Sequence, residues 1–166
     1  YVMRAIWRVH VTIWMESVWE VLSCDNSATK FILTDHPVTT YNNALCSLSK
    51  ESHYPHDAPI EYAGTHTIFP LDLNHCLVMT NLGYVRNPHI DLLKIRENPR
   101  LFSNTFKDLR KIQTGRQILE EWVLAINYII KKRAKKYIAA GKRDWLYPEQ
   151  TGGHIISNVI CDEFFL

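Results

Sequence analysis

The tetrapeptide Thr34-Asp35-His36-Pro37 holds the densest group of side chains that could do chemistry. It follows the apolar run 31–33, which predicts a buried strand that ends here. A carboxylate and an imidazole on a rigid strand end suit proton transfer or metal ligation. The sequence therefore predicts Asp35 and His36 as catalytic residues and Thr34 as a binding residue.

A structural interpretation of the same tetrapeptide uses the same geometry. Asp35 and Thr34 accept backbone N–H bonds in turns, and Pro37 fixes the exit of the chain. Neighbouring strand residues point to opposite faces, so Asp35 and His36 could serve one centre only if the turn breaks the pleat. Both interpretations stay open at this stage.

A second polar group, Asp72, Asn74 and His75, lies between the predicted strands 67–72 and 75–82. We predict these three as binding residues. If their turn packs beside Asp35, carboxylates and imidazoles would converge in a way that suits Mg²⁺ or Zn²⁺. The spacing matches no established metal signature, and Asp and Asn are ordinary turn residues, so the cofactor stays unknown.

The longest periodic stretch predicts an amphipathic helix over residues 114–140. Thr114 and Gln117 have capping-box spacing, and Gly141 stands where a helix stop is expected. Asn127 lies at the edge of the predicted apolar face, half buried, and must therefore hydrogen-bond. We include it as a binding residue that anchors the Asp35 turn or lines a pocket.

The end of this predicted helix is basic, and its lysines could form a phosphate-binding stripe that contacts nucleic acid: Lys131, Lys132, Lys135 and Lys136. The alternative is a solvated face that complements the helix dipole. The net charge of +2 is too small to imply a nucleic-acid partner by itself. A small ligand or a protein is the other partner that we consider.

Length and composition predict one α+β domain spanning residues 1–166. We expect a helix over 1–16, with a strand over 9–13 as the alternative that the alternation there also fits. We also expect a hairpin of 19–24 with 29–33, and a small, mainly antiparallel sheet within residues 19–82 that packs on the long amphipathic helix. No phosphate-binding loop, nucleophile elbow, paired-histidine zinc motif or dinucleotide fingerprint is present, which excludes those enzyme classes.

Four dispersed cysteines, without any Cys-x-x-Cys pair, indicate reduced thiols and a cytoplasmic location. No apolar run approaches the ~20 residues of a membrane span, so no membrane partner is expected. The chain begins in mid-pattern at Tyr1 rather than at a methionine. We therefore interpret it as a fragment or processed piece of a longer protein.

Three segments in this order resemble the uncharacterised bacterial family called domain of unknown function 4238: 31–38, 68–76 and 126–137. Its members typically carry a Phe-Ile-Thr-Ser-Asp-x-Pro-Val run, a later Pro-Leu-Ser-Pro turn, and a helix with a Leu/Ile-Asn pair. Here Leu33-Thr34 replaces Thr-Ser and Asp72-Leu73 replaces Ser-Pro. The chain lacks the His-x-x-Pro segment found at the start of family members, so the resemblance implies that it is the C-terminal part of such a protein. The resemblance implies no activity.

Two functional hypotheses follow from these residues. In the first, the chain is a ligand- or partner-binding module in which the Asp35 turn and Asn127 shape a pocket or interface. In the alternative, it is a metal-dependent hydrolase of phosphoester or nucleic-acid substrates. Asp35 and His36 would then supply ligand or base, and Asp72 and His75 would support them.

Overall fold

The computed structural model describes residues 2–45, 57–96 and 112–151. Its elements, in chain order, are α1 (Val2–Met15), β1 (Ser17–Ser23), β2 (Leu33–Thr34), β3 (Thr39–Asn42), β4 (Thr65–Pro70), β5 (His75–Asn81), α2 (Leu82–Arg86), β6 (Gln113–Gln117), α3 (Glu120–Arg133) and β7 (Ile138–Ala139). Short 3₁₀ turns cover Asn43–Leu45 and Arg143–Leu146. The fold class is α+β, as predicted, and α1 confirms the N-terminal helix.

Five strands form the main sheet in the order β3-β4-β5-β1-β6, and β2 and β7 form a separate two-stranded pair. Every neighbouring pair is antiparallel except β1 with β6. The predicted strand pair around residue 73 is confirmed as the β4–β5 hairpin. β5 lies between β4 and β1, which explains its nearly continuous apolar run.

The beginning of the predicted long helix is wrong, because Gln113–Gln117 is the strand β6. β6 pairs in parallel with the open edge of β1, and the register shifts between Val21 and Leu22. Gly115, with a φ of 85°, is the extra residue at this bulge, and its conformation is one that only glycine adopts without strain. Thr114 is therefore a strand residue, and pairing with a distant strand overrides the capping-box signal.

The end of that helix is also earlier than predicted, since α3 stops at Arg133. Ala134 leaves with extended backbone (ψ 135°), and Ile138–Ala139 pairs with β2 as β7. Residues 123–127 are all buried, so the centre of α3 is covered on several sides. The prediction of a long amphipathic helix is not confirmed.

The predicted hairpin of 19–24 with 29–33 is wrong as well. β1 pairs with β5 and β6 instead, and the backbone N–H of Phe31 donates to the carbonyl of Leu73 at 3.0 Å. The core packs one face of the sheet against α3, and its fully buried members include Leu22, Phe31, Ile68, Val78, Ile126 and Ile129. Across the described ranges, no helix has the length and apolar character to cross a membrane.

Candidate functional site

Asp35 ties the end of β2 to the segment that follows α3. Its two carboxylate oxygens accept the backbone N–H groups of Lys135 and Lys136, each at 2.9 Å, and its own N–H donates to the carbonyl of Tyr137 at 3.2 Å. Desolvation works against ionisation, but these N–H donors prevail and hold the pKa of Asp35 below its usual value. Two successive N–H groups aimed at one carboxylate form a small anion-binding concavity.

Thr34 and His36 complete the turn beside Asp35. The Thr34 hydroxyl accepts the N–H of His36 at 3.2 Å and donates to the His36 carbonyl at 3.1 Å. The His36 imidazole leaves the turn and meets Asp57, with Nε2 at 2.6 Å from Oδ2. Asp35 and His36 therefore bond to different partners, Asp35 to the residues after α3 and His36 to Asp57.

Asp57 also faces Arg133, whose side chain is 4% exposed. Arg133 Nε lies 3.4 Å from Asp57 Oδ1, an ion-pair contact longer than a well-formed hydrogen bond. Burial lowers the pKa of Arg133, and the Asp57 charge opposes that shift. Sequence reasoning missed both residues. Arg133 had a signal, because it follows Ile126 and Ile130 at helical spacing on a buried face, whereas Asp57 had none.

Asp72, Asn74 and His75 lie at the tip of the β4–β5 hairpin, where Asp72 is exposed and the other two are half-buried. Asp72 Oδ1 accepts the N–H of Asn74 at 2.7 Å and of His75 at 2.8 Å, and its carboxylate lies 3.0 Å from His75 Nδ1. The Asn74 backbone bond contributes most to lowering the pKa of Asp72. Within this hairpin Asp72 contacts His75. Asp35 instead forms its hydrogen bonds with residues 135–137.

The convergence of ligands that would favour a metal is not found in the part of the chain that the structure describes. There, no three His, Cys, Asp or Glu side chains are grouped so that they could hold an ion. Cys46 and Cys161, two of the four cysteines used to predict a reducing compartment, lie outside the described residues.

Asn127 is fully buried rather than half buried. Its Oδ1 accepts the N–H of Ile32 at 3.1 Å, and its Nδ2 donates to the carbonyl of Lys30 at 2.8 Å. These two backbone groups belong to the chain that enters β2, where Ile32 is buried and Lys30 is half-buried. Asn127 thus fixes the approach to the Asp35 turn against the middle of α3.

A cavity of about 490 Å³ lies at the end of α3, next to the segment that Asp35 binds. We call it the lysine pocket, and its lining is Tyr128, Lys131, Lys132, Ala134, Lys135, Lys136, Ile138 and Glu149. All four lysines of the predicted basic stripe line it. Lys135 and Lys136 are the two residues whose backbone N–H groups donate to Asp35. The Asp35 turn therefore fixes the backbone positions from which these two lysine side chains extend.

Two lysines of this pocket are held against neighbouring groups. Lys131 Nζ donates to the Leu146 carbonyl at 2.7 Å and to Glu149 Oε1 at 2.6 Å, and it lies 5.0 Å from the ring centroid of Tyr147. Lys132 Nζ lies 5.1 Å from the ring centroid of Tyr128. Such cation–π contacts keep ammonium groups near an aromatic surface without neutralising them.

Comparison with known families places the chain in one of them. Residues 2–144 match the family described as "Protein of unknown function (DUF4238)", and the chain belongs to that family. No curated protein and no solved structure matches the chain significantly. The family description assigns no activity, so the function must be argued from the geometry above.

Proposed function

We propose that this protein is a ligand-binding module that takes a small anionic molecule into the lysine pocket. The observation that carries the proposal is that four lysines and, among the described residues, a single carboxylate surround one cavity of about 490 Å³. A concave surface lined by one sign of charge concentrates counter-charged ligands. Apolar and aromatic side chains share the lining, as they do in small-molecule sites generally.

In this proposal the Asp35 turn is a positioning device. Both oxygens of Asp35 accept backbone N–H groups of pocket residues, and Asn127 fixes the chain that leads into the turn. A carboxylate held this way orders the segment 135–136 and keeps its lysines at the rim. Because both oxygens of Asp35 already accept backbone N–H groups, this geometry favours a role for Asp35 in binding over a role in catalysis.

A hydrolase of phosphoester substrates is the second candidate, and a different observation favours it. His36 is half buried and contacts Asp57 at 2.6 Å, an arrangement in which a carboxylate orients an imidazole as a general base. A metal-dependent form would take a ligand from Asp35 with Asp72 and His75 in support, but these side chains form no common cluster among the described residues. A nucleic-acid phosphate could reach the same lysines.

We also propose a reducing, cytoplasmic compartment. Cys24 and Cys76 are both buried and both free thiols. Burial raises the pKa of each thiol, which keeps it protonated and slow to oxidise.

Calorimetric titration with inorganic pyrophosphate tests the binding proposal. We expect one site per chain, and we expect the double variant Lys132→Gln/Lys136→Gln to weaken binding on the order of tenfold, since two favourable charges are removed. Lys94→Gln is the matched control, because Lys94 is exposed and lies outside the pocket lining. Absence of binding, or an equal loss in the control, would refute the proposal.

A turnover assay separates the two candidates. Wild type and His36→Gln are incubated with p-nitrophenyl phosphate, with and without Mg²⁺, Mn²⁺ or Zn²⁺. Release of nitrophenol that disappears in the variant would favour the hydrolase. Pyrophosphate binding without any turnover is the result that we expect from a binding module.

A further inference from the structure

Within the part of the chain that the structure describes, Glu149 is the single carboxylate in the lining of the lysine pocket. It bonds Lys131 at 2.6 Å, while Lys131 also donates to the carbonyl of Leu146. The pair is only partly covered, with the Lys131 side chain 24% exposed and that of Glu149 42% exposed. A solvent-accessible ion pair of this kind contributes about 1 kcal/mol at most, so a stronger anion can replace its acidic member.

Resting on the proposed binding function, we propose that the lysine pocket is a phosphomonoester site in which Glu149 occupies the ligand's place at Lys131 until a dianionic phosphate displaces it. Glu149 would then be a specificity-determining residue. A monocarboxylate gains little at Lys131, because it only exchanges one carboxylate for another. A phosphate brings up to twice the charge and three acceptor oxygens.

The composition of the lining also points to phosphate. Its cations are all lysines, and the described lining contains no arginine. Lysine binds phosphate as a compact point charge, so several lysines around one cavity favour a ligand that carries more than one negative charge. Four lysines against one glutamate leave enough positive charge to hold a dianion.

The remaining wall indicates what the phosphate is attached to. Tyr128, Ala134 and Ile138 give the pocket an apolar side, and the volume lies within the ~300–1,000 Å³ usual for small-ligand sites. An inorganic ion would leave this side uncovered. The chemistry therefore fits a phosphate ester with a compact apolar body.

Phenyl phosphate and benzoate make a matched pair of probes for the ligand class, because both place an anionic group on the same ring. At pH 7.5 we expect the wild-type protein to bind phenyl phosphate on the order of tenfold more tightly than benzoate. At pH 5 phenyl phosphate carries a single charge, and its advantage should shrink. Equal affinities at pH 7.5 would overturn the phosphate assignment.

Glu149→Gln tests the displacement. Removal of the competing charge should tighten phenyl phosphate binding about two- to fivefold, the range that corresponds to an exposed ion pair. Glu61→Gln, an exposed glutamate outside the pocket lining, is the control and should change nothing. Lys131→Gln should cost more affinity in the Glu149→Gln background than in wild type, since only there is Lys131 available to the ligand throughout.

Unchanged or weaker phenyl phosphate binding in Glu149→Gln would overturn the displacement. If pyrophosphate still binds and still depends on Lys132 and Lys136, the binding module stands and only this inference fails. If no anion binds wild type, the module itself fails. Thermal unfolding of each variant shows whether a change in affinity reflects the pocket or a loss of folded protein.

Discussion

Two aspartates in this molecule bind the backbone in nearly the same way, with opposite consequences. Asp72 accepts the N–H groups two and three residues ahead of it, and so it closes its own hairpin. Asp35 accepts two N–H groups that lie 100 and 101 positions away in the chain. One carboxylate shapes a local turn, while the other joins two distant parts of the fold beside the lysine pocket.

The histidines next to these aspartates repeat the contrast. His75 contacts Asp72 within the same turn, whereas His36 turns away from Asp35 and contacts Asp57, 21 residues further on. The chemical groups at the two turns are therefore alike, but only the Asp35 turn connects β2, α3 and the segment after it. A polar cluster becomes a candidate site through such long-range bonds rather than through its composition.

The largest expected effect on stability is at Asn127, which supports the Asp35 turn and not the Asp72 turn. Asn127→Leu leaves the buried N–H of Ile32 and the carbonyl of Lys30 without partners, and we expect the free energy of unfolding to fall by about 3 kcal/mol. Urea unfolding measures this. Asn74→Ala in the other turn is the comparison, and a loss as large there would contradict the asymmetry.

As the pH falls, we expect stability to be lost first through His66, which lies on β4 of the β4–β5 hairpin. Burial lowers the pKa of His66 to about 3, from an ordinary value of 6.5. The unfolded chain therefore binds the extra proton between these values, and stability that is complete above pH 6.5 should fall by about 1.4 kcal/mol per pH unit as the pH drops toward 3.

Urea unfolding at several pH values from 7 to 4.5 tests the role of His66, with His66→Gln as the non-titrating variant. The variant starts from a lower stability, because it loses the contact with Thr80, but its slope with pH should be much flatter. Equal slopes in the two proteins would show that another group controls acid unfolding in this range. Asp35 and Asp72, whose pKa values are lowered, add to the loss only near and below pH 4.

The smallest effect, and the most direct test of the comparison, is local. In Asp35→Ala we expect hydrogen exchange at the amides of Lys135 and Lys136 to accelerate on the order of tenfold, because their acceptor is gone. In Asp72→Ala the amides of Asn74 and His75 should accelerate instead. Acceleration at all four amides in either variant would mean that the two turns are coupled.

The elements of the fold that depend on interactions between residues near in sequence could be predicted. The helix at 2–15 and the β4–β5 hairpin depend on periodicity and turn residues within about twenty positions. β6 could not be predicted, since Gln113–Gln117 is polar and becomes a strand only because the edge of β1 needs a partner. The segment that follows α3 is likewise held by Asp35, a residue about a hundred positions away in the sequence.

The candidate site divides in the same way. The tetrapeptide at 34–37 and the basic residues after 130 were visible in the sequence, but their approach to one another was not. Arg133 is hard to recognise from the sequence because it stands among the lysines of the basic helix end, although its spacing places it on the buried face. Asp57 and Glu149 could not be predicted because their partners, His36 and Lys131 respectively, are distant from them in the sequence.

The bonds between Asp35 and the amides of Lys135 and Lys136 also decide when the pocket can exist during folding. They close a loop of a hundred residues, and contacts of that separation form only after the chain has lost much of its freedom elsewhere. A nascent chain that has emerged only as far as β6 holds Asp35 but neither amide. The β4–β5 hairpin can therefore form early in synthesis, whereas the lysine pocket is assembled only once the residues beyond α3 have emerged.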